Sequence, residues 1–122
     1  MINLPSNAKK LHIQGAPIDY FEFNQSGQEY IYFDASQAPA PEPMMDAIRG
    51  LTAVEHKDTK LVMIHNHIPQ ALFDKLGDSY DIQTIDLENG NCQIIFSYKG
   101  GNYKKLTLND FDHRDHYTNR KI

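Results

Sequence analysis

The chain has 122 residues, 40% hydrophobic and 23% charged, and its sixteen acids against twelve bases leave a net charge of −4. That length suits one globular domain with one core and leaves no room for a second, while the acidic balance excludes an overall basic footprint for nucleic acid. The lone cysteine, Cys92, excludes an intramolecular disulfide and any cysteine-only metal site.

The first ten residues hold no apolar run of the kind a secretory leader needs, and no stretch approaches the ~20 apolar residues of a membrane span. A cytoplasmic protein without a membrane partner is the expectation. Residues 1–109 read as a single domain, with 1–28 an N-terminal extension and first hairpin strand, 29–99 the core, and 110–122 a charged tail.

Two β-type runs, 18–23 and 29–33, flank Asn24-Gln25-Ser26-Gly27, which is turn chemistry and predicts a hairpin. Pro39, Pro41 and Pro43 then hold the backbone extended and delay a helix until the last of them. Met44, Ile48 and Leu51 recur at helical spacing, so a helix is expected from Pro43 to about Val54, with Glu42 and Asp46 near its positive end. Leu61-Val62-Met63-Ile64 is a short apolar run, the mark of a strand covered on both faces. Pro69 opens a second helical pattern with Leu72, Phe73 and Leu76 on one side and Gly77 as its C-terminal cap. Strands over 80–87 and 92–98 flank Asn89-Gly90, a strong hairpin signal. An edge strand over 104–108 and a fraying tail close the chain. The order implies parallel strands before the two helices, both helices on one face of a mixed sheet, and hence a two-layer α/β sandwich.

The run Phe33-Asp34, Pro39-Ala40-Pro41-Glu42-Pro43-Met44-Met45, an apolar strand, then His65-Asn66-His67-Ile68-Pro69 resembles a known family. It is similar to domain-of-unknown-function family 2249, a relative of the TusA/SirA-like sulfur carriers, over roughly residues 29–99. The resemblance implies a β-α-β-α-β-β sandwich, to which this chain adds an N-terminal β-hairpin. Such carriers hold a persulfide on the cysteine of a Cys-Pro-x-Pro motif. Here Ala40 stands in the cysteine's place in Ala40-Pro41-Glu42-Pro43, which argues against sulfur transfer. Members of the family often carry an arginine two residues after the strand-end aspartate, where this chain has Ser36. They are often found beside hemerythrin-like or nitrogen-oxide respiratory proteins, which implies a redox setting.

Parallel strands ending at Asp34 and Ile64 would place two proline-started helices at one sheet edge, where ligands and anions bind in α/β folds. Asp34, Ser36, Glu42, His65, Asn66 and His67 are the expected ligand-binding residues there. The function expected is a binding or regulatory module holding a small anion or a partner's acidic segment. The alternative is a transition-metal or haem-associated accessory protein, because His65 and His67, two apart in an extended segment, point to one side. Asp34 or Glu42 would then add an oxygen ligand. The plainer account of the two histidines is polar capping of the second helix. Likewise Asp34 and Glu42 as an acid–base pair weigh less than their ordinary roles at a strand end and a helix start.

No serine sits in a nucleophile elbow, and Ser36 and Ser79 read as turn residues. Met44 and Met45 read as core, His12 and His56 as surface, and His113 and His116 as part of a solvated tail. Lys99, Lys104, Lys105, Arg114, Arg120 and Lys121 interleave with Tyr98, Tyr103 and Tyr117, but Asp110, Asp112 and Asp115 dilute that patch and disfavour nucleic acid. Tyr20, Phe21, Phe23, Tyr30 and Tyr32 exceed what one face of a ribbon covers, so the hairpin either lies over the core or pairs a homodimer.

Overall fold

The computed structural model describes residues 1–54 and 58–99. In chain order the elements are β1 (Lys9–Leu11), β2 (Tyr20–Gln25), β3 (Gln28–Asp34), α1 (Glu42–Ala53), β4 (Thr59–His65), α2 (Gln70–Leu76), a 3₁₀ turn (Gly77–Ser79), β5 (Tyr80–Asp86) and β6 (Cys92–Tyr98). The strands form one mixed sheet in the order β1-β2-β3-β4-β6-β5. The expected strand over 104–108, the tail with His113 and His116, and His56 lie outside the described residues.

The β2–β3 hairpin closes on Ser26 and Gly27, both at positive φ (55° and 82°), between the paired Gln25 and Gln28. Two left-handed residues in a two-residue loop match the right-handed twist of the strands they join. Asn24 Oδ1 accepts from the Gly27 N–H, which braces the turn. β1 pairs antiparallel with the outer side of β2. Its three residues carry too little alternation for a strand to be read from the sequence.

β3 and β4 are parallel and in register from Glu29↔Thr59 to Asp34↔Ile64, with α1 as their crossover. The Ala35 N–H extends the ladder by donating to the Ile64 carbonyl at 2.8 Å. The two strands therefore end side by side, as the sequence predicts. α1 begins at Glu42, one residue before the expected start, with Pro41 at its N-cap and no side-chain cap.

One face of the sheet contributes Ile31, Phe33, Leu61, Met63, Ile94 and Phe96 to the core. Ala47, Ile48 and Leu51 of α1 and Leu72 and Leu76 of α2 pack into the same cluster. Both helices thus cover one face, because alternate strand residues share a side. Gly50 lets α1 approach β4 closely: a Cβ there would lie 2.7 Å from Leu61 Cδ1. Tyr20 joins this core and Phe23 is buried on the other face, so the hairpin extends the sheet and hides two of its five aromatic residues. Val62, Ile64 and Ile95 are also buried on that second face. There the buried Gln93 side chain accepts from the Ile2 N–H and donates to the Ile2 carbonyl, both at 2.7 Å, and ties the N-terminal segment to β6. No helix among the described residues is long and apolar enough to cross a membrane.

Candidate functional site

At the carboxyl ends of β3 and β4 lies a cavity of about 530 Å³. That size falls within the range of small-molecule sites. One wall is the proline-bearing approach to α1, residues 38–41 with Pro43 and Met44; the other is His65 to Ala71 at the approach to α2. The prolines that delay each helix hold these approaches extended beside the strand ends. Most of the wall is therefore Ala, Pro, Met and Ile, and its polar side chains are His65, Asn66, His67 and Gln70.

Of the six expected ligand-binding residues, the structure puts His65, Asn66 and His67 on the cavity wall. Asp34 and Ser36 stand behind it. Asp34 Oδ1 accepts from the Ser36 N–H (2.9 Å) and hydroxyl (2.6 Å), and the Ser36 carbonyl accepts from Asn66 Nδ2 at 3.2 Å. His67 Nδ1 donates to Asn66 Oδ1 at 2.7 Å, since an amide oxygen only accepts. A chain of four residues from both strand ends thus fixes the His67 ring and leaves its Nε2 uncommitted. Glu42 is not on the wall. Its carboxylate pairs with Arg49 at 2.8 Å, on the side of α1 where Arg49 also reaches the fully buried Asp46 at 2.9 Å.

His65 is the deepest polar residue of the wall, 3% exposed, and its Nδ1 is buried without a hydrogen-bond partner. Burial pushes its pKa below the usual histidine range, and the neighbouring His67 adds to that; the Ala35 backbone and the Asp34 carboxylate pull the other way. A backbone contact that favours the charged ring is a carbonyl accepting from it. In the neutral ring one nitrogen donates and the other accepts, and Nδ1 is the one left without a partner. The two imidazoles pack at 4.3 Å between centroids, tilted by 49°.

The helix starts hold few donors for an anion. In α1 the Glu42 N–H donates to the Pro39 carbonyl, Pro43 has no N–H, and the Met45 N–H donates to the Pro41 carbonyl. At α2 the N–H groups of Gln70, Leu72 and Phe73 donate to the carbonyls of Ile68 and Pro69. No lysine or arginine among the described residues lines the cavity.

Two oxygen ligands expected for a metal are engaged elsewhere, Asp34 by Ser36 and Glu42 by Arg49. Among the described residues no group of three or more His, Cys, Asp and Glu side chains is arranged to hold a metal ion. Cys92 opens β6 opposite His65, is 5% exposed, and donates weakly to the His65 carbonyl at 3.5 Å. Burial and the nearby Asp86 push its thiol pKa up, the reverse of a reactive thiolate.

The apolar half of the wall is not legible in the sequence. Pro39, Pro41 and Pro69 read there as helix punctuation and Met44 as core, although Met44 is half-buried on the cavity. The spacing of Glu42, Asp46 and Arg49 along one helix face is the signal for their ion-pair cluster. No family model, curated protein or solved structure matches this chain.

Proposed function

We propose that this chain is a cytoplasmic binding or regulatory module, without a catalytic centre of its own, whose small-molecule pocket lies between the starts of α1 and α2. The observation that carries this is a largely apolar cavity of about 530 Å³ lined in part by His65, whose buried Nδ1 has no hydrogen-bond partner. Specific small-molecule sites have this make-up, an apolar lining with a few convergent polar groups. The resemblance to family 2249 and the TusA/SirA-like carriers supports the same place, since Ala40-Pro41-Glu42-Pro43 occupies the position of the carriers' working motif. Ala40 on the wall and a buried Cys92 favour binding over sulfur relay.

A fragment screen followed by two-dimensional NMR tests this. Hits should perturb the amides of residues 38–41 and 65–71. Ala71→Trp, placed on the exposed wall of α2, should abolish those perturbations while the protein stays folded. Hits that map elsewhere, or that survive the tryptophan, contradict the proposal.

Two imidazoles 4.3 Å apart also support a metal- or haem-associated accessory role, with the remaining ligands supplied from outside the described residues. Elemental analysis of untagged protein beside a His65→Ala/His67→Ala variant separates the two. Stoichiometric metal that vanishes in the variant selects the accessory role. A homodimer would use the half-buried Phe21, Tyr30 and Tyr32 of the hairpin, and sedimentation of wild type against Tyr32→Glu tests it.

A further inference from the structure

Building on the pocket proposed above, we infer that its ligand is an uncharged, ring-shaped molecule that donates an N–H or O–H hydrogen bond to the histidine pair, and is not an anion.

Three observations carry this. First, the wall offers acceptors and few donors. His67 gives its Nδ1 proton to Asn66 and presents the lone pair of Nε2. His65 has Nδ1 buried and unpartnered. A buried polar atom left without a partner is costly, and a ligand that donates to Nδ1, with the ring proton on Nε2, recovers that cost. Second, no lysine or arginine among the described residues lines the cavity, and the guanidinium of Arg49 on α1 is held by Glu42 and Asp46 at 2.8 and 2.9 Å. The helix-start N–H groups that would replace a cation are mostly engaged by carbonyls of their own approaches. An anion entering here would lose its hydration and meet lone pairs. Third, the wall is built of flat, weakly polar surfaces. Pro41, Pro43 and Pro69 present ring C–H groups, which suit the negative face of an aromatic ring.

His67 is the outer member of the pair. It is exposed, packs on the His65 ring, and is held by its hydrogen bond to Asn66.

The test is a set of binding titrations followed by NMR, with indole, benzofuran, benzoate and inorganic phosphate as probes. Indole and benzofuran share an outline, but only indole has an N–H. The expected result is indole binding in the pocket at least about tenfold tighter than benzofuran, with benzoate and phosphate weaker than either. In His65→Phe, which keeps the ring and removes the acceptor, the two affinities should converge to within about twofold. The comparison of probes on the wild type stands even where that variant fails to fold. Equal affinity for indole and benzofuran in the wild type overturns the donor inference, as does tighter binding of benzoate or phosphate at residues 38–41 and 65–71. Both of those results leave the pocket itself standing. If none of the probes, and no hit of the fragment screen, perturbs those residues, the pocket and the inference fall together.

Discussion

His65 and Asp46 are both buried, titratable and short of one hydrogen-bond partner, yet they differ in what surrounds them. His65 Nδ1 belongs to a residue on a cavity wall, beside a second imidazole and no cation among the described residues. Asp46 Oδ2 lies within a charged cluster: Arg49 grips Asp46 Oδ1 and Glu42 Oε2, and Tyr20 donates to the Asp46 carbonyl at 2.6 Å. Burial pushes the pKa of Asp46 up to about 7, helped by Glu42 and opposed by Arg49. Burial pushes the Glu42 carboxyl up, but its Asp46 and Arg49 neighbours outweigh that and hold it below the usual range. Charged neighbours enclose Asp46 and make it a fold contact, whereas His65 lies on a cavity wall, which is where the binding site is proposed. The Asp46 cluster fastens α1 to β2, while His65 Nδ1 is left without a partner.

Removing the cation gives the largest expected effect on this contrast. Arg49→Met leaves Asp46 and Glu42 without their partner and should lower stability by about 2–4 kcal/mol in urea denaturation. The loss stays below that of a permanently charged buried group because Asp46 takes up a proton instead. Asp46→Asn in the same chain should restore part of it. His65→Phe should cost less than Arg49→Met, since a neutral ring replaces a neutral ring. The reverse order would break the distinction.

The second effect is a pH slope. Between the ordinary aspartate value of 3.8 and about 7, the unfolded chain has an ionised Asp46 and the folded chain a protonated one. The folded state binds more protons there, so stability falls as pH rises through this window and levels off above it. The fall is at most ~1.4 kcal/mol for each pH unit of that window, and Glu42, held low, offsets it only at the acid end, below its ordinary value of 4.5. The lowered His65 acts oppositely just below 6.5, where the unfolded histidine binds the proton and stability rises with pH. Denaturation curves of wild type and Asp46→Asn at pH 4.5 and 7 isolate the aspartate, and the variant should lose the downward slope.

Smaller still is the effect at the close contact between α1 and β4. Gly50→Ala places a methyl group 2.7 Å from Leu61 Cδ1, and Leu61 is fully buried. Overpacking of ~1–3 kcal/mol exceeds the ~1 kcal/mol gain in helix propensity. A net loss of about 1 kcal/mol is expected, with no change at the pocket amides. A stabilised variant would show that α1 rides further from β4 than the structure has it.

Much of the frame was legible because its signals are local. The Asn24 to Gly27 turn, the apolar run at Leu61 to Ile64, and prolines before each helix follow from backbone sterics and burial. They were enough to bring Asp34 and Ile64 side by side and so to locate the site. What the chain order hid was non-local. β6 sits between β4 and β5, and β1 is a three-residue edge whose support is its partner strand. The site was legible as a neighbourhood but not in its division of labour. Glu42 reads as a helix-start acid, yet Arg49 seven residues later draws it away from the cavity. His65 and His67 read either as caps of the second helix or as metal ligands, and the sequence does not show that Asn66 fixes the His67 ring or that α2 has no side-chain cap. Only three-dimensional neighbours decide which nitrogen of each ring is left.

The state of the His65 ring is the point on which the account turns, and ¹⁵N-detected NMR of the histidine side chains reads it directly. The account predicts a neutral ring at pH 7 with its proton on Nε2 and a bare Nδ1, whose ¹⁵N resonance moves when a donor such as indole binds. A charged imidazolium at pH 7, or a neutral ring with its proton on Nδ1, would contradict it and return the pocket to anions.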